Sequence, residues 1–230
     1  MSDNQQQKQN QVNTGDDIPE GQTRKFKYKP RSVYSVLLRR AKYNLCDIDD
    51  FFERAKKARR SEQKDLEQIA ASSGENVPDD WLVDDVAQLE KFSWLYSEFA
   101  IVGLWRCVEL YRKRAVRVAL SKEAARRAFK HEEFQKDLLQ LQIDETKICC
   151  ARSVNELRCL NNAIKHERRV DGELAKLPRW KNKKDDELGD LESHYHRLRP
   201  FAERYLEDLK KRLNNVKSLS PSVGSQVGKT

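Results

Sequence analysis

Residues 153–169 read SVNELRCLNNAIKHERR. At about 100° per residue, Val154, Leu157, Leu160 and Ile164 fall on one stripe, the signature of an amphipathic helix whose apolar face needs a partner. Ser153 and Glu156 have the spacing of a capping box and place the helix start there, while Val170-Asp171-Gly172 supplies a stop just after Arg169. The same period runs outward in both directions. Upstream, Val33, Val36, Leu37, Ala41, Leu45, Ile48 and Phe52 predict a helix from Ser32 to Ser72, with a break suggested near Asn44–Asp50. A loop follows at 72–78. Asp79 or Asp80 caps a long helix to about Leu120, and Ser121 restarts the chain as a further helix to about Gln142. Residues 143–151 read as a short connection holding Cys149 and Cys150. Downstream, a basic loop precedes a last helix from Asp185 or Asp186 to about Val216, with Pro200 as an expected kink.

Composition agrees with this pattern. Of the 230 residues, 36% are charged and 38% hydrophobic, which is polar for a globular chain but too periodic for a disordered one. Between residues 25 and 217 the only glycines and prolines are Gly74, Gly103, Gly172, Gly189, Pro30, Pro78, Pro178 and Pro200. An all-β chain needs a turn about every 8–12 residues, so the expected class is all-α: a bundle of about five to six helices, two of them long. Residues 25–217 form one expected domain, between a disordered polar arm at 1–24 and a disordered tail at 218–230. No GxGxxG, GxxxxGK[ST], HExxH or GxSxG occurs, which removes dinucleotide folds, P-loop enzymes, zincins and α/β-hydrolases as first readings.

The five cysteines are odd in number and two are adjacent, so a disulfide framework is not expected and a reducing, cytoplasmic interior is. No uncharged apolar run reaches the length of a membrane span, and Met1–Gly21 lacks an apolar signal core. The net charge is +8, unevenly spread. Twelve basic side chains face four acidic ones in residues 25–60, nine face two in 106–130, and ten face four in 152–184. Residues 75–98 reverse this, with seven acids and one lysine. Such segregation suits either solvated helices that pair acid against base or a surface that tracks phosphates.

Beside the apolar stripe of residues 153–169, Arg158, Asn162 and His166 stack turn upon turn, with Lys165 at the edge and Arg169 beyond. These types suit phosphodiester chemistry. Histidine moves a proton near neutrality, arginine forks onto phosphate oxygens, and asparagine orients the ring or bonds the phosphate. The alternative is a structural histidine that caps or bridges. On the long preceding helix, Glu98 and Glu109 are embedded in apolar sequence, so at least one is expected to be partly buried and to need a partner, for which Arg158 or His166 is a candidate; the alternative is a structural ion pair inside the bundle. Arg179-Trp180-Lys181, like Phe26-Lys27-Tyr28-Lys29, interleaves an aromatic with bases and suits base stacking over held phosphates; alternatively Trp180 seals the bundle end. Cys149, Cys150, Cys159 and His166 lack zinc-ligand spacing, and His194 and His196 diverge on a helix, so no metal or cofactor is expected.

Asn161-Asn162-Ala163-Ile164-Lys165-His166, at the end of a helix, resembles the signature of the HEPN superfamily: an Arg, four to six residues, then a His, with Asn often directly after the Arg. Asn162 matches that Asn and His166 that His. Asn161 stands where the pattern has Arg, and Arg158, one turn earlier on the His166 face, is the candidate substitute. The resemblance covers this helix and the all-helical layout of residues 30–215. It implies a homodimeric bundle with two motifs in one cleft and an acidic residue such as Glu109 near them. It further implies either a metal-independent endoribonuclease of toxin–antitoxin or antiviral defence systems, answering to an antitoxin or other protein partner, or an inactive binding module. The leading expectation is a HEPN-like RNA-binding protein or ribonuclease. Its assigned residues are His166, Arg158, Asn162 and Glu109 for chemistry, and Lys165, Arg169, Arg179, Trp180 and Lys181 for RNA. The runner-up is a non-catalytic helical interaction module. A DNA-binding regulator is weaker, since no compact helix-turn-helix with a central Gly is present.

Overall fold

The computed structural model describes residues 32–72, 79–166 and 168–219. The expected arm at 1–24, the Phe26-Lys27-Tyr28-Lys29 run, the loop at 73–78 and the tail from 220 onward lie outside the described residues. Six α-helices are present among the described residues: α1 (Val33–Ser72), α2 (Asp79–Ala119), α3 (Lys122–Arg127), α4 (His131–Gln140), α5 (Ala151–His166) and α6 (Leu191–Leu219). They contain no strand, only an isolated antiparallel bridge between Arg169 and Glu187. The chain is all-α, and no described helix is long and apolar enough to cross a membrane.

α2 is the axis of the bundle, packing against α1, α3, α4, α5 and α6. Ala100, Ile101, Leu104, Val108, Tyr111, Ala115 and Val116 recur at threes and fours and are buried, so several faces of one helix are covered at once. Gly103 lets α1 come close: a Cβ there would meet Ile48 Cδ1 at 3.2 Å. One continuous apolar cluster runs from Tyr34 on α1 to Leu213 on α6.

The structure differs from the sequence reading at five boundaries. α1 runs unbroken through Asn44–Asp50, because Leu45 is fully buried and Ile48 packs on Gly103; packing outweighs the weak helix propensity of Asn and Asp. The single helix expected over 121–142 is two. Ser121 caps α3 by accepting from the Ala124 amide at 3.1 Å, and the corner at 128–130 brings Arg127 onto the buried Asp137 of α4 at 2.7 Å. α5 starts at Ala151, where the Cys150 carbonyl accepts from Val154, and the expected capping box is not made. It ends at His166, with Arg168 turning into the left-handed region at φ 56 and its amide reaching back to Ala163. α6 starts at Leu191 because residues 185–188 bond instead to Val170 and Arg168, and Asp190 accepts from the Ser193 amide at 3.0 Å. Pro200 lies inside α6, which continues through it.

Candidate functional site

α5 presents Val154, Leu157, Leu160 and Ile164 to the core, and Glu156, Cys159, Asn161 and Ala163 are buried as well. Only a narrow strip is left to solvent. Asn155, Arg158 and Asn162 are half-buried on it, and Lys165 and His166 are exposed at its end. The structure does not join Arg158 to His166. Eight residues at about 1.5 Å rise each separate their backbones by about 12 Å, and the guanidinium turns the other way. Its Nε donates to Asn155 Oδ1 at 3.1 Å and its Nη2 to Glu173 Oε2 at 3.0 Å. Asn161, at the Arg position of the HEPN-like pattern, is 1% exposed; its Nδ2 donates to Asn162 Oδ1 at 3.3 Å and its own Oδ1 has no partner among the described residues. His166 makes no hydrogen bond or ion pair among the described residues.

Arg169 lies outside α5, so it leaves the stripe assigned to it. It sits at the bridge with Glu187, its Nη1 3.5 Å from the Asp185 carbonyl. Beyond it the chain folds back along α5 through two short 3-10 turns, Leu174–Lys176 and Pro178–Trp180, pinned by Glu173 on Arg158 and by Trp180 on Glu156. Trp180 is a correction to the stacking role. It is 3% exposed, donates its Nε1–H to Glu156 Oε1 at 2.9 Å and lies against the His194 ring at 4.7 Å, so the indole seals the bundle and offers no face to a base. Its neighbours Arg179 and Lys181 are exposed.

The two embedded glutamates find partners other than those expected. Glu98 pairs with Arg168, Oε1 to Nε 2.9 Å, and burial raises its carboxyl despite that cation. Glu109 pairs within its own helix, with Arg106 and Lys113 at 2.8 Å each. Burial would raise Glu109, but hydrogen bonds from Lys113 and Arg106 outweigh it and hold the carboxyl below its usual range.

A polar cluster that the sequence did not indicate lies beside Arg158. Arg112, 3% exposed on α2, stacks its guanidinium 3.7 Å over the Phe134 ring and lies 3.4 Å from Glu145 Oε1. Tyr205 donates to the same oxygen at 2.8 Å, and Arg112 Nη2 lies 3.1 Å from His131 Nδ1. Because a guanidinium only donates, Nδ1 accepts and the imidazole is neutral in this arrangement. Burial lowers His131 first, Glu145 opposes it, and Arg112 and Arg158 lower it further. Arg112, His131, Glu145 and Tyr205 come from three helices and a connection, far apart in sequence; the only advance signal is Arg112 in the apolar run of α2.

A second cluster joins Glu156 to Arg197 through two hydrogen bonds, at 3.0 and 2.6 Å. Among the described residues no group of three or more His, Cys, Asp or Glu side chains is placed to hold a metal ion. Chemically, the strip along α5 offers an exposed imidazole, an ion-paired arginine and a basic loop. The His131 cluster offers a neutral imidazole among buried charges. In comparisons with known proteins, the chain matches no family model, no curated protein and no solved structure.

Proposed function

We propose that this chain is an RNA-binding helical protein that cuts its bound strand without a metal. His166 moves the proton of the attacking hydroxyl, and the basic segment 165–184 holds the backbone. The observation that carries the reading is a set of cations without acids: Lys165, Arg179, Lys181 and Lys184 are exposed and make no ion pair among the described residues. Such charges attract a polyanion by releasing its counterions. Asn162 stands one turn before His166 and is half-buried; its amide can bond a phosphate or the ring. Arg158 reaches a phosphate only after leaving Glu173. The HEPN-like resemblance supplies the reaction class; a homodimer with a protein inhibitor belongs to the same proposal.

A non-catalytic interaction module is the second reading. It is favoured by the buried Asn161 at the arginine position and by the exposed Phe92, Leu95 and Phe99 of α2. An RNA cleavage assay in EDTA, with anisotropy binding alongside, separates the two. Cutting should persist in EDTA and leave a cyclic phosphate. His166→Ala should lower turnover by about two to four orders of magnitude and leave the thermal midpoint in place, because the ring is exposed and without a partner among the described residues. Binding without cutting, or equal cutting by His166→Ala, replaces the catalytic reading with the interaction module.

A further inference from the structure

Neighbouring side chains on a helix or strand point apart, so adjacent cysteines ordinarily hold their sulfurs apart as well. Cys149 and Cys150 do not: their Sγ atoms are 3.2 Å from each other. The turn that achieves this is fixed from both sides. The Cys149 amide donates to Asp208 Oδ2 at 2.9 Å, the Cys150 carbonyl accepts the Val154 amide at 3.0 Å, and Arg212 holds the Lys147 carbonyl at 2.6 Å. Cys150 lies at φ 62, a left-handed conformation uncommon for a residue with a Cβ. Cys149 is exposed and lines an open groove of about 410 Å³ with Lys147, Arg204, Lys211 and Arg212, beside Glu207 and Asp208. The second sulfur differs: burial, then the hydrogen bond with Cys149, pushes the Cys150 thiol up to about 11.

We propose that Cys149 and Cys150 form an oxidisable vicinal dithiol, a modification site that a hydroperoxide closes to an intramolecular disulfide. The Cys149 thiolate attacks the peroxide, an S–O bond forms and the O–O bond breaks, and the departing oxide takes the proton that Cys149 gave up. Cys150 sulfur then attacks Cys149 sulfur. The S–S bond forms, the S–O bond breaks, and hydroxide leaves as water with the Cys150 proton. Two electrons pass from the thiols to the peroxide oxygens, and the peroxide ends as water, or as water and an alcohol. The exposed Cys149 attacks and the protonated Cys150 resolves.

Trypsin cuts after Lys147 and Arg152, so one peptide, residues 148–152, carries both sulfurs. The full chain is treated briefly with hydrogen peroxide, alkylated, digested and weighed. The expected peptide has lost two hydrogens and takes up alkyl groups only after reduction. Prior phenylarsine oxide, which bridges two close thiols, should block the change. Cys149→Ser and Cys150→Ser should each abolish it, Cys150→Ser leaving a sulfenic acid on Cys149 that dimedone traps. Because the fold supplies the proximity, closure should be about tenfold or more slower in urea than in the folded chain. Full alkylation after peroxide, equal rates in urea, or a chain-to-chain disulfide as the main product would each overturn the proposal. Cys46, exposed on α1, and Cys107 and Cys159, buried, report general oxidation in the same digest.

Discussion

Burial, more than any single neighbouring charge, disfavours the protonated form of His131. Arg112 donates to it and crowds it, Glu145 Oε2 is 3.8 Å from its Nδ1, and burial sets the sign, lowering its pKa. His194 is lowered for the same first reason, burial, and then by Arg197. In the unfolded chain both rings titrate at the ordinary value of 6.5. Between that value and the lower folded one the unfolded state holds more protons, so stability falls as the pH drops through the window. The depressed carboxylates, Glu156 and Glu109 among them, act in the same direction but only further down, below 4.5. The urea midpoint should therefore fall when the buffer is taken from about pH 7 to about pH 5.5, before the depressed carboxylates titrate; Glu98, raised by burial, works in the opposite direction. His131→Asn and His194→Asn together should flatten that part of the curve. A wild-type curve that is already flat there would show that neither ring resists its proton.

Within α2, one helix passes through two environments. From Ala100 to Val116 it is enclosed, and each fully buried Leu or Ile contributes about 1.5–3 kcal/mol. Over residues 84–95 only Leu89 is buried, and α1 beyond Ala55 buries nothing opposite it, while Ile69, Val86, Phe92 and Leu95 stay exposed. Amides of 57–72 and 84–95 should thus exchange with solvent well before those of 100–116, read residue by residue in native-state hydrogen exchange. Uniform protection along α2 would mean that another surface covers residues 84–95 in solution. The helices themselves were legible, because period, not contact, makes an amphipathic stripe: Val154, Leu157, Leu160 and Ile164 are buried as their spacing predicts. Their ends were not. Asn44–Asp50 reads as a break until Gly103 packs against Ile48, and Ser153 with Glu156 reads as a cap until Trp180 and Arg197 claim the carboxylate. Local rules yield wherever a distant residue offers a buried group a better partner.

For the whole molecule, the net charge of +8 overstates what is open to a partner. Arg127, Arg197, Arg199 and Lys56 are committed to acids, and Arg158 to Glu173. Sequence counting could not separate such cations from open ones, which is why the strip read as Arg158 beside His166 places those two apart. The exposed and the committed can now be tested against each other. Replacing Lys165, Arg179, Lys181 and Lys184 by Ala removes four open cations. Replacing Lys42, Lys113, Lys136 and Lys147 subtracts the same formal charge, but each of these faces an acid. If RNA lies along the 165–184 segment, the first set should flatten the plot of log affinity against log salt by about three units, from about 0.7 per phosphate contact on a single strand. The second set should move the slope by less than about one unit, since its charges are already spent on neighbours. Equal slopes for the two sets would mean that binding follows total charge, and that the segment along α5 is a solvated face with no register on the strand.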